Sequence, residues 1–200
     1  MMVVKKWLIP TAWLCFALFY VVSCKEEVTQ KNSGTVVTAE KSPADVVAHG
    51  KYLVEIMGCH DCHSPKRMGA KGPELIPELI LSGYPSDRPI VKMDSKLLKQ
   101  GFAMLYPDLT AGAGPLGMSF AGNLTPDESG IGSWTRDQFK KALTEGKLKG
   151  LDTGRTLLPT MPWVNFKSLK EDDITAIYEY LKSVKPVKNV VPSPIPPDQI

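Results

Sequence analysis

The sequence predicts a helical domain with long loops, on three observations. Three segments carry apolar residues at helical spacing together with start or stop signals. No segment alternates apolar and polar residues over the length of a strand, and the stretch from Pro65 to Pro126 is broken by Gly and Pro. At 200 residues the chain has room for one domain with its own core. The net charge is +3, with lysines spread along the chain rather than gathered in a stripe, so no nucleic-acid partner is expected.

Residues 1–23 read as a signal peptide. Lys5 and Lys6 precede an apolar run from Trp7 to Val22, interrupted only by Pro10 and Thr11. The run is short for a stable membrane span and right for a secretory signal. It ends in "VVSC", which resembles the lipobox of bacterial lipoproteins, although Val21 stands where Leu is commoner. That resemblance implies lipidation of Cys24, which would become the first residue of the mature chain. An uncleaved membrane anchor is the alternative, and either way the remainder is exported and tethered to a membrane. The mature chain would lose Lys5 and Lys6 and carry a net charge of +1. Cys15 would leave with the signal, so Cys59 and Cys62 are the cysteines of the folded part.

Residues 24–42 follow as the lipidated Cys and a polar tether, with a reach of roughly 25 Å by random-coil scaling. The domain proper is expected over 43–186. Pro43 suits a first helical turn, and Val46, Gly50, Leu53, Val54 and Met57 then share one face. Short helical pieces are expected near 74–81 and 94–100 within the long loop region. Loops this long in a small domain are usually functional or packed around something large. Thr135 and Gln138 form a capping box for a helix that buries Phe139, Ala142 and Leu143 and stops at Gly146. Ser168 and Glu171 form a second box ahead of the apolar stripe Ile174, Ile177, Tyr178 and Leu181, which Pro186 ends. Residues 187–200 are a proline-rich tail, expected to be extended and either on the surface or free.

The chemistry lies in "GCHDCHS". Cys59, Cys62 and His63 make a Cys-x-x-Cys-His motif, and residues three and four apart on a helical turn share a face. Two thiols can therefore reach the vinyl groups on one porphyrin edge while the imidazole reaches the iron. A chance match in a chain of this composition is about one in a thousand. A redox-active thiol pair would call for a strand–helix context that is not visible, and zinc would call for four ligands from separated clusters. One motif implies one covalently bound haem c.

For the opposite face of the iron, "LLPTMPW" holds Met161 between Pro159 and Pro162. A Met fixed in a stiff turn suits aiming a thioether sulfur, whereas a core Met usually sits on an apolar face. Met57, Met68, Met93, Met104 and Met118 are rivals, as are His49 and His60, and an open site is a further alternative.

Residues 45 to about 197 resemble the class I cytochromes c, above all bacterial membrane-associated cytochrome c proteins related to the cytochrome subunits of periplasmic alcohol and sugar-acid dehydrogenases. The likeness rests on "HGKYLVEIMGCHDCHSP", "GPLGMSFAGNLTPDESGIGSWTRDQFKKALTEG", "LLPTMPWVNFKSL" and "DDITAIYEYLKSVKPVKNVVP". It implies an all-α, cytochrome c-like fold, several helices and long loops around one haem. Cys59 and Cys62 would carry the haem, with His63 and Met161 as axial ligands. It also implies that the first and last helices cross beside the haem, bringing Gly50 and Val54 against Ile177 and Tyr180. Asn123, Thr125 and Trp134 fall in its "GNLTPD…GIGSW" signature and are candidates for the pocket wall, with Arg155 as a further candidate for holding a propionate. Each has a plainer alternative as packing or turn chemistry.

The function expected is electron carriage on the periplasmic side of a bacterial membrane. Redox partners would be a dehydrogenase, a quinol-oxidising complex or a terminal oxidase. Dehydrogenase subunits of this type usually carry three haem domains and this chain has one motif, which favours a separate carrier. The alternatives are a non-catalytic subunit docked permanently in a dehydrogenase or oxidase complex, and a haem peroxidase, which would need an open sixth position.

Overall fold

The computed structural model describes residues 41–200. The signal peptide, Cys24 and nearly all of the tether lie outside the described residues.

The chain enters on α1 (Pro43–Ile56), whose start is a complete capping box between Ser42 and Asp45. Gly50, Leu53 and Val54 are its buried residues, as the sequence stripe requires. Gly58, at φ 70°, then turns the chain directly into α2 (Cys59–His63). A left-handed backbone there costs glycine little and any other residue more. After α2 the chain makes the hairpin β1 (Lys66–Gly69) and β2 (Gly72–Leu75), a 3-10 turn at Pro77–Leu79 and the short α3 (Ser95–Lys99), capped by Asp94. A three-stranded antiparallel sheet follows, in the order β3 (Met104–Leu105), β4 (Ala111–Gly114) and β5 (Gly117–Phe120).

The all-α expectation is therefore corrected: among the described residues five α-helices share the fold with two small antiparallel sheets. The strands were invisible to periodicity for a physical reason. They are two to four residues long, and β4 reads "AGAG", so its inward and outward positions are equally small. The expected helical piece near 74–81 is likewise mostly β2 and one 3-10 turn.

Helix α4 (Arg136–Glu145) keeps the expected Thr135–Gln138 box and ends at Gly146 in left-handed conformation. Helix α5 (Glu171–Ser183) lacks the second box: Lys170 is its N-cap and makes no side-chain cap bond. Glu171 instead pairs across to α4 through Arg136 (2.6 Å) and Lys140, which trades a cap for a link between helices.

Two cores result. Leu53 and Val54 of α1, Phe139 and Leu143 of α4, and Ile174, Ala176, Ile177 and Leu181 of α5 form the first, with Leu81 and Ile131. Tyr84, Met93, Leu98, Tyr106, Ala111, Ala113 and Met118 form the second, under the three-stranded sheet. The tail beyond α5 runs across both. Val187 exchanges bonds with Thr125 and Asn123, and Ile195 makes a reciprocal bridge with Met118 (2.8 and 2.9 Å). Val191, Ile195 and Ile200 pack on the second core.

Candidate functional site

The geometry of the site starts from α2. Its single turn sets Cys59, Cys62 and His63 on adjacent positions, with both cysteines free and half-buried. Burial pushes the Cys59 thiol up to about 11 and the Cys62 thiol upward as well, with the Asp61 charge adding to both. A thiol-exchange site needs the opposite shift, towards thiolate.

The imidazole of His63 is oriented by one bond. Its Nδ1 lies 2.7 Å from the carbonyl oxygen of Gly122. A carbonyl can only accept, so Nδ1 carries the proton and Nε2 keeps its lone pair. Burial lowers the pKa of this ring, the Gly122 carbonyl opposes that, and the neighbouring His60 reinforces it. The neutral, Nε2-basic tautomer is the form that ligates a metal. The main chain of His63 is held as well, because its carbonyl accepts from the N–H of Gly83 (2.8 Å).

Met161 lies in a loop fastened along its length. Thr156 bridges Lys147, and the N–H of Leu157 donates to Gly146 (2.7 Å). The hydroxyl of Ser119 on β5 donates to the carbonyl of Pro159 (2.7 Å), and beyond Met161 the Trp163 ring covers Gly146. The Met161 side chain packs against the first core, as does Cys59.

The rival ligands are distributed differently. Met93 and Met118 are buried in the second core, Met104 packs against it, and Met68 is exposed on the hairpin. Met57 borders the first core at the end of α1, as its stripe indicated. His49 Nε2 is 2.8 Å from Asp173 Oδ1 on α5, and His60 Nδ1 is 2.9 Å from the Ser64 hydroxyl. Among the described residues no three His, Cys, Asp or Glu side chains gather as a metal-binding group.

Asn123 is buried and fully occupied. Its amide donates to the carbonyls of Val187 (2.8 Å) and Asn189 and to Ser129, while its oxygen accepts from the N–H and hydroxyl of Thr125. It ties the tail to the loop before α4. Trp134 packs on the first core, and its carbonyl accepts from the Tyr178 hydroxyl (2.8 Å). Arg155 is exposed and donates to the Thr156 carbonyl (2.8 Å). The structure thus joins Cys59 and Met161 on one core, binds Asn123 to the tail by hydrogen bonds and packs Trp134 on the first core.

Residues without any sequence signal complete the site. Gly122 orients His63, and the fully buried Ser64 accepts the N–H of Leu81 (2.9 Å). Asp108 lies in the turn between β3 and β4, bonded to Arg88 and Thr110. Leu105, the last residue of β3, and Leu109 in that turn are exposed. Leu105 and Thr160 both lie against Gly112, while the Asp108 carbonyl accepts from the Lys66 ammonium (3.1 Å). Leu105 thus lies exposed beside the Met161 loop, where a large apolar group would cover it. Two free thiols, an oriented imidazole and this apolar margin fit a covalently held haem.

Residues 47–185 match the family model for cytochrome c. The chain is similar to the fructose dehydrogenase cytochrome subunit of Gluconobacter japonicus, with 29% identity over 81% of this chain and 27% of that protein. It is similar to the gluconate 2-dehydrogenase cytochrome c subunit of Pantoea cypripedii, with 38% identity over 71% of this chain and 24% of that protein. The cytochrome c subunit of the quinone alcohol dehydrogenase of Gluconobacter oxydans shares 44% identity over 36% of this chain and 15% of its own length. The alignments span about a quarter or less of these curated relatives.

Proposed function

The chain belongs to the cytochrome c family, haem proteins of electron transfer, and from that premise we propose that Cys59 and Cys62 attach one haem c with His63 and Met161 as its axial ligands. The observation that carries this reading is the bond from His63 Nδ1 to Gly122, which leaves Nε2 basic on the same helical turn as two free thiols. The bound haem supplies a one-electron couple between ferric and ferrous iron. His63, its tautomer fixed by Gly122, would hold the iron from one side. Met161 would offer a soft sulfur as the second ligand, which favours the reduced state and excludes substrate or peroxide. The fastened Met161 loop would keep that sulfur in place. In this reading the polypeptide carries electrons.

The relatives named as dehydrogenase cytochrome subunits support a dehydrogenase as the electron donor. A quinol-oxidising complex is the other donor chemistry, and a terminal oxidase would be the acceptor. The basic–apolar start of the sequence and Cys24 support export to the periplasmic side of a membrane with a lipid anchor. A subunit docked permanently in such a complex is the second reading, favoured by the same relatives; stoichiometric co-purification of a dehydrogenase from detergent extracts would establish it.

The test of the site is direct. Matured in a host that attaches haem c, the protein keeps its colour on the polypeptide after denaturation, and the Cys59→Ala, Cys62→Ala double variant loses it. Met161→Ala keeps the covalent haem but loses the near-infrared band of iron–thioether ligation and becomes high-spin when oxidised. Haem that washes away from the wild-type polypeptide refutes the reading.

A further inference from the structure

Lys66 opens β1, three residues after His63, and its surroundings are unusual for a lysine. Among the described residues its ammonium meets no carboxylate. It donates to four backbone carbonyls: those of His60 (3.3 Å), Asp61 (2.6 Å), Ser64 (3.2 Å) and Asp108 (3.1 Å). Three N–H donors converge on four acceptors, so one bond is shared. Three of the carbonyls belong to α2 and its cap; the His60 carbonyl also accepts the N–H of Ser64 (3.2 Å), while oxygens at a helix end otherwise lack intrahelical partners. The fourth belongs to the turn between β3 and β4.

The side chain therefore bolts the Cys-bearing turn to the sheet. It also places a positive charge beside that turn. The nearby Asp108 carboxylate does not cancel this charge, because it is held by Arg88 (2.8 Å) and by the Thr110 hydroxyl and N–H. Asp61 contributes its carbonyl to Lys66 while its own side chain is exposed.

We propose that Lys66 is a positioning residue of the haem site that also raises its reduction potential: its ammonium, held by four converging carbonyls, fixes the His63 turn and opposes the extra positive charge of the oxidised state. The inference rests on the haem attachment proposed above. Oxidation adds one positive charge, and a cation fixed in a partly buried position is screened by water less than one on a free surface chain. A lysine ammonium can point its three donors at a cluster of carbonyls, whereas the planar arginine fork cannot follow the same set.

Three variants of the haem-loaded protein separate charge from fastening. Lys66→Gln keeps amide donors without the charge, Lys66→Met removes both, and Lys66→Arg keeps the charge with altered geometry. In an equilibrium redox titration, Lys66→Gln and Lys66→Met are each expected to shift the one-electron equilibrium at least threefold towards the oxidised form, about 28 mV. Lys66→Arg is expected to stay within twofold of the wild type while melting at a lower temperature. By the thermodynamic cycle, the gap in melting temperature between the reduced and oxidised forms narrows in Lys66→Gln. Should Lys66→Met fail to mature, the Lys66→Gln potential decides alone. A wild-type potential in Lys66→Gln with haem covalently attached overturns the inference, as does an equal shift in Lys66→Arg. Loss of haem from the denatured wild type would instead overturn the attachment on which it rests.

Discussion

Replacing Gly50 with alanine adds one methyl group where α1 and α5 already touch. The new Cβ would sit 1.9 Å from the carbonyl oxygen of Ala176 and 2.8 Å from the Cβ of Tyr180. The closer atom is backbone, so no rotamer change relieves the clash, and the helices have to move apart by about 1.5 Å to reach tolerable contact. That separation loosens Val54 and Ile177, both buried in the shared core. Uncovering on the order of 100 Å² costs about 2.5 kcal/mol at about 25 cal/mol per Å². Alanine's better helix propensity returns about 0.8–1 kcal/mol. The net loss is about 1.5–1.7 kcal/mol, and a chain of this size loses roughly 2–4 °C of melting temperature per kcal/mol, so Tm falls by about 3–7 °C. Thermal melting of the haem-loaded protein by circular dichroism measures this. Gly114→Ala is the control, because a Cβ there meets nothing within 4 Å. A Gly50→Ala protein melting within about 1 °C of the wild type would refute the close-crossing argument, and so would an equal fall in the control.

Three further outcomes follow from other contacts. Thr135→Ala removes the α4 cap, where Thr135 accepts from the Gln138 N–H and the Gln138 side chain accepts from the Thr135 N–H; the urea midpoint falls by an amount equivalent to about 1 kcal/mol with the m value unchanged. Asn189→Ala strips partners from the carbonyls of Ser82 and Tyr84 and from the N–H of Ser86; it costs about 2–3 kcal/mol, and amide exchange at Ser86 accelerates. The carboxyl of Asp108 is pushed up by burial but brought below the ordinary carboxylate range overall by Arg88 and Thr110. A depressed folded pKa contributes stability above the unfolded value, about 3.9, and that contribution is lost as pH falls through the lower folded value. Arg88→Met is therefore most destabilising near neutral pH, and its deficit shrinks below about pH 4 in acid-unfolding titrations; a deficit independent of pH would count against the pair.

The helical half of this fold was legible because its signals are local. Val46 to Val54 and Ile174 to Leu181 carry their burial pattern within one element, and Thr135 carries its own partner three residues on. The attachment motif is legible for the same reason: Cys59, Cys62 and His63 sit on one turn. The sheets were not legible, since "AGAG" and "GMSF" owe their pairing to register with each other and to Ile195 from far along the chain. Lys66 is one of 24 basic residues, and nothing in its neighbours tells that four carbonyls converge on it. Ser168 failed as a cap because Glu171 found stronger partners on α4, a tertiary contact overriding a local signal.

The way the tail is built into the second core bears on how the protein is made. Val191 and Ile195 complete a cluster that begins at Tyr84, about a hundred residues earlier. A chain emerging N-terminus first completes α1 and the Cys turn while Tyr106 and Met118 still wait for their cover. The sheet layer closes only once the segment from Val191 to Ile195 has arrived. A chain interrupted before Val191 thus has helices that can pair but a sheet that stays bare, an apolar flag for proteases and chaperones.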